Sequence, residues 1–163
     1  MVRPLKLALA PWRSAKQTWA DLHSDCGQDN DIARTINKYT KTIESNPSDA
    51  RAYFARGTAR HKASDYDIAI ADLTKALNPC CAAVYAERGS AYYDEAQYDH
   101  AIADLNKAIE INPNSALPYC NLGWAYEAIG EDQKAVAFYR KALEIDPSLQ
   151  AAKDNLKLLG VTS

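Results

Sequence analysis

A chain of 163 residues with 47% apolar and 25% charged residues has the length of one domain and a composition that folds. Its 19 Lys and Arg stand against 21 Asp and Glu, a formal net charge of −2 that argues against nucleic acid as the main partner. No apolar run approaches the roughly 20 residues that a membrane-spanning helix needs, so membrane insertion is not expected.

Taken from the amino terminus, the first 20 residues carry Arg3, Lys6, Arg13 and Lys16 and no acid. The apolar stretch Leu5 to Ala10 is short, ends at Pro11 and lacks a small-residue cleavage site, so it makes a thin export signal. Residues 1–15 are expected to be a basic flexible tail, and the protein is expected to be cytoplasmic. Residues 16–49 read as two helices, near 16–25 and 31–45, closed by Pro47.

Next comes a repeat. With Gly57, Gly89 and Gly123 as origins, Tyr53, Tyr85 and Tyr119 stand four residues before, and Ala69, Ala101 and Ala135 twelve after. Leu73, Leu105 and Tyr139 follow at sixteen, Ala76, Ala108 and Ala142 at nineteen, and Pro79, Pro113 and Pro147 close each unit. Each unit predicts two helices, because its apolar positions recur three and four apart. The first helices are expected over 51–63, 83–95 and 117–129, and the second over 66–77, 98–111 and 132–145. The glycine and alanines are small where two helices must approach closely. Between the helices stand Ser64-Asp65, Ala96-Gln97 and Gly130-Glu131, of which Gly130 takes a left-handed backbone at low cost.

The first clear unit is two residues short, reading Ala-Leu-Asn-Pro at 76–79 where its neighbours read Ala-Ile-Glu-Ile-Asn-Pro and Ala-Leu-Glu-Ile-Asp-Pro. Its second helix should therefore be shorter, with a local change of rotation beside Cys80 and Cys81. Counting back 34 from Gly57 reaches His23, flanked by Trp19, Leu22 and Cys26, so 16–49 keeps the spacing of a degenerate fourth unit. Leu149 to Leu159 continues a helical pattern with Lys153 and Lys157 facing away, which predicts a solvating cap helix over 150–159.

Together these residues resemble the tetratricopeptide repeat, whose signature is W-x2-L-G-x2-Y, A-x3-F and P at a period of 34. The third unit carries it best, with Tyr119, Leu122-Gly123, Tyr126, Ala135, Tyr139 and Pro147. In the others Arg56 and Arg88 replace the leucine, and Arg60 replaces the tyrosine. The resemblance implies an all-α fold, a right-handed superhelical stack of antiparallel hairpins. Residues 16–159 then form one domain, with units at 16–49, 50–81, 82–115 and 116–149 before the cap. No hairpin buries its own apolar face, so stability comes from stacking.

The resemblance also implies that first helices line a concave groove holding a peptide or protein segment. The lining maps onto Arg51, Phe54, Ala55, Thr58, His61 and Lys62, then Ala83, Ala86, Glu87, Ser90, Tyr93 and Asp94, then Leu117, Cys120, Asn121, Trp124 and Glu127. Small residues leave room, and Phe54, Tyr93 and Trp124 are aromatics that the stack does not require. The carboxylate clamp of chaperone-binding relatives is incomplete, since Phe54 and Ala86 occupy its lysine positions. Four cysteines without a C-x-x-C pattern predict no metal and no other cofactor. The histidines His23, His61 and His100 fall in different hairpins, and no catalytic motif is present, so an enzyme is not expected. The expected function is a protein-binding scaffold. The alternative is self-assembly, as a homodimer, through the open ends of the stack.

Overall fold

The computed structural model describes residues 26–77 and 81–161, and every regular element among them is helical. Helix α1 spans Cys26–Ser45, followed by α2 (Ala50–Lys62), α3 (Tyr66–Lys75), α4 (Ala82–Asp94), α5 (Tyr98–Ile111), α6 (Ala116–Ala128), α7 (Asp132–Ile145) and α8 (Gln150–Leu158). Each helix packs on the next, while α2 touches α4 and α4 touches α6. This is the α-solenoid that the spacing predicts, with α2/α3, α4/α5 and α6/α7 as hairpins.

The hairpin turns share one construction. Asp65, Gln97 and Glu131 donate their amides back to the carbonyls of Arg60, Tyr92 and Tyr126 at 2.8–2.9 Å. That closure places Ser64 (φ 65°), Ala96 (φ 60°) and Gly130 (φ 83°) in the left-handed region. Only the third turn uses the residue to which that backbone costs nothing. Between hairpins, the side chains of Asn46, Asn112 and Asp146 accept the amides of Ser48, Asn114 and Ser148 across the intervening proline. Asp49 then caps α2 by accepting from Arg51 and Ala52 amides at 3.0 and 3.1 Å.

The small residues mark the closest approaches. A Cβ added to Gly57 or Gly89 would lie 2.8 or 2.9 Å from Leu73 or Leu105 Cγ, and at Gly123 it would overlap the Tyr139 ring. Ala69, Ala101 and Ala135 are fully buried beside them, as are Leu73, Leu105 and Tyr139. The core is therefore a row of close helix crossings, each filled by one large side chain.

Two differences from the sequence reading stand out. Helix α3 has 10 residues against 14 in α5 and α7, a loss of about one turn rather than the expected half. The bend beyond it, with Cys80, lies outside the described residues. Helix α1 begins at Cys26, five residues before the expected start, and runs through the expected turn at 26–30. Gly27 alone weakens a helix by only about 1 kcal/mol, and no proline stands there to stop it. The expected first helix at 16–25 and the tail at 1–15 lie outside the described residues.

Candidate functional site

The first helices are tied to one another by side chains from the face mapped above. His61 on α2 reaches α4 with both ring nitrogens, Nδ1 to Glu87 Oε1 at 3.0 Å and Nε2 to Asp94 Oδ2 at 2.7 Å. Burial works against charging the ring, but the bonds to Asp94 and Glu87 outweigh it and raise the imidazole pKa to about 9. At neutral pH the ring is a cation between two carboxylates. One repeat further, Asn121 Nδ2 on α6 donates to Ser90 Oγ on α4 at 2.8 Å. The rings of Tyr93 and Trp124 lie 6.4 Å apart across the same junction. Glu127 accepts the buried Tyr139 hydroxyl at 2.7 Å.

These contacts change the electrostatics expected of this face. Glu87, Asp94 and Glu127 stand as acids in the mapped lining, and each is engaged by a neighbouring side chain. Arg51 and Lys62 are exposed and make no ion pair among the described residues, so they are the unpaired cations of this face. Ala55, Ala86, Ser90, Tyr93, Asn121 and Trp124 are all half-buried. Phe54 packs partly on the cluster of Ile43, Tyr53 and Val84, and Trp124 on the cluster around Tyr119, Tyr139 and Leu156. Thr58 is half-buried, with a buried hydroxyl oxygen that has no hydrogen-bond partner among the described residues. Cys120, expected in the lining, is a correction: it is 1% exposed and belongs to the core, because α6 leans on α7 and α8 at that point. Burial pushes its thiol up to about 12, which leaves it inert.

Behind this face lies a network that sequence reading registered only as departures. Arg56 Nε and Nη2 clasp Asp72 at 2.8 Å each, Nη1 donates to Thr40 Oγ1 at 3.2 Å, and Arg60 adds a third donor to Asp72 at 3.0 Å. One repeat on, Arg88 Nε and Nη2 clasp Asp104 at 2.6 and 2.8 Å, and Nη1 donates to Thr74 Oγ1 at 3.0 Å. Each arginine thus joins three helices. In the third unit the residues corresponding to the arginine and the aspartate are Leu122 and Phe138, with Phe138 stacked on Tyr126 at 5.2 Å. Both charged positions become apolar together, while Asn106 keeps a polar residue at the position of the threonines. The signal is present in the sequence as arginine and aspartate sixteen residues apart, twice, with both absent in the unit that keeps the leucine.

Helix α8 covers the end of the last hairpin. Its Ala152 and Leu156 are buried with Tyr119, Ala135, Tyr139 and Ala142, as Pro118 and Leu122 are one repeat earlier. It therefore packs on the last hairpin in the register of a first helix. Lys157 occupies the register of the packing glycines and is exposed, since no second helix presses there among the described residues. The next residue, Leu158, continues the row Thr58, Ser90, Trp124 and is 61% exposed.

Family comparison agrees with this register. A TPR-repeat profile matches residues 89–130, and tetratricopeptide-repeat profiles match 116–149 and 38–71. Comparison with curated sequences gives no match. Among solved structures, the crystal structure of MamA is similar with a TM-score of 0.72 and 27% identity over 82% of this chain and 81% of that one. The Arabidopsis OM64 TPR domain follows with 0.66 and 28%, covering 68% of this chain and 93% of its own. The first TPR of Spaghetti (RPAP3), bound to the HSP90 peptide SRMEEVD, gives 0.66 and 26% over 68% and 90%.

Proposed function

Because the chain belongs to the tetratricopeptide-repeat proteins and is an interaction scaffold, we propose that its concave face holds an extended or helical segment of a partner protein. Trp124 and Tyr93 act as apolar anchors, and Arg51 and Lys62 steer the approach. The observation that carries this reading is the Tyr93–Trp124 pair: two large rings, half-buried, on adjacent first helices beside Ala86 and Ser90. Aromatic anchors next to small residues are the usual centre of a binding surface. The Spaghetti domain's HSP90 peptide supports a peptide as the class of ligand, although Phe54 and Ala86 make a different groove from a carboxylate clamp.

A partner recovered by pull-down and titrated calorimetrically tests this. Removing an anchor ring costs about 2 kcal/mol or more, so Trp124→Ala should weaken binding roughly thirtyfold. Lys62→Ala should weaken it less, mainly at low salt. Lys134→Ala, on the second helix α7, is the control. If Lys134→Ala weakens binding and Trp124→Ala does not, the groove reading is wrong. Light scattering at several concentrations separately reads out the homodimer.

A further inference from the structure

Two of the four exposed large hydrophobic side chains among the described residues lie on the first-helix face at its carboxyl-terminal end: Leu117 and Leu158, each 61% exposed. Leu117 and Trp124 are seven residues apart on α6, which puts them on one face about 10 Å apart along the axis. Leu158 follows Trp124 by one repeat length, on the helix that shares a buried core with α6. A solvating cap has no use for a leucine here, and Lys157 beside it shows that a polar residue fits in the last turn.

The opposite end of the face differs in chemistry. Arg51 and Lys62 are exposed cations on α2, whereas Glu87 and Asp94 on α4 are held by His61. At the carboxyl-terminal end the charged groups on this face are acidic: Glu127 holds Tyr139, and the exposed Asp154 accepts from Gln150 at 2.8 Å. An acidic ligand is thus attracted at α2.

We propose that Leu117, Trp124 and Leu158 form an apolar end of the groove that takes bulky aliphatic or aromatic side chains of a partner segment, whose acidic residues lie over Arg51 and Lys62. This rests on the groove reading above and adds the partner's chemistry and its polarity along the groove. The occupant is a peptide segment of another protein, acidic at one end and apolar at the other.

The test is selection from a displayed library of random twelve-residue peptides against the full chain. The expected peptides carry Asp or Glu at one end and Leu, Ile, Phe, Met or Trp at the other. A selected peptide, made synthetically, should bind Leu117→Ser/Leu158→Ser roughly tenfold more weakly and Leu158→Met nearly as well as wild type. Selection on Arg51→Ser/Lys62→Ser should lose the acidic bias and keep the apolar one. Ile68→Ser, at an exposed leucine-sized residue on the second helix α3, should change neither. These side chains are exposed, so circular dichroism should be identical throughout. Peptides without an apolar bias, or equal affinity for Leu117→Ser/Leu158→Ser, would overturn the apolar end while leaving the groove intact. Failure of the wild type to select any peptide, or full binding by Trp124→Ala, would overturn both.

Discussion

Asp104→Ala is the perturbation that most directly probes the buried arginine network. Asp104 accepts two hydrogen bonds from Arg88, and the two side chains are only 10% and 14% exposed. Removing one partner of a buried pair costs about 3–5 kcal/mol, because the other charge is left without compensation. The residual exposure of Arg88 lets water reach it, so the lower end, about 3 kcal/mol, is expected. With a urea slope of about 2 kcal/mol/M, the unfolding midpoint should fall by about 1.5 M at constant slope. Arg88→Leu/Asp104→Phe should behave differently, since it gives the second unit the residues of the third. The introduced phenyl ring would meet Tyr92 as Phe138 meets Tyr126, and no charge would remain to be desolvated. Apolar replacement of a buried pair is often neutral or stabilising by about 1–4 kcal/mol, so the double variant should unfold at or above the wild-type midpoint. A midpoint loss under about 0.5 M for Asp104→Ala would sink this reasoning. So would a double variant as unstable as the single one.

Ala96→Gly should stabilise the chain by about 0.5–1 kcal/mol in the same urea assay, since Ala96 holds φ 60° and glycine relieves that strain. Gly123→Ala should destabilise by about 1–3 kcal/mol and more than Gly89→Ala, because a rigid Tyr139 ring blocks its Cβ whereas Leu105 can shift; equal melting temperatures would contradict the register. The His61 pKa is raised to about 9 in the fold against 6.5 for the free side chain. Its contribution to stability is therefore complete below about pH 6.5 and is lost as pH rises through 9. Urea midpoints measured from about pH 6.5 to about 9.5 should fall in wild type and fall less in His61→Ala.

Much of this architecture is legible residue by residue. The glycine and alanine spacing locates three hairpins, and second helices over 98–111 and 132–145 match the expected bounds, because close helix contacts tolerate few side chains. The first helices start one residue earlier than expected, a matter of capping. The ends are harder to read. Helix α1 runs on through 26–30, since nothing local stops it there. The cap reading of α8 rests on its two lysines, and Leu158, 34 residues after Trp124, shows that the helix also keeps the register of a first helix.

The sequence by itself determined the period, the helix type and the positions of closest approach, because these depend on side-chain size at fixed intervals along one helix. Tertiary structure alone decided which charges are free. Glu87 and Asp94 become partners of a histidine 26 and 33 residues away, and Arg56 and Arg88 reach aspartates on one neighbouring helix and threonines on another. Such pairings depend on how successive hairpins are rotated against each other, and that rotation follows from the packing of every helix on its neighbours rather than from any one segment.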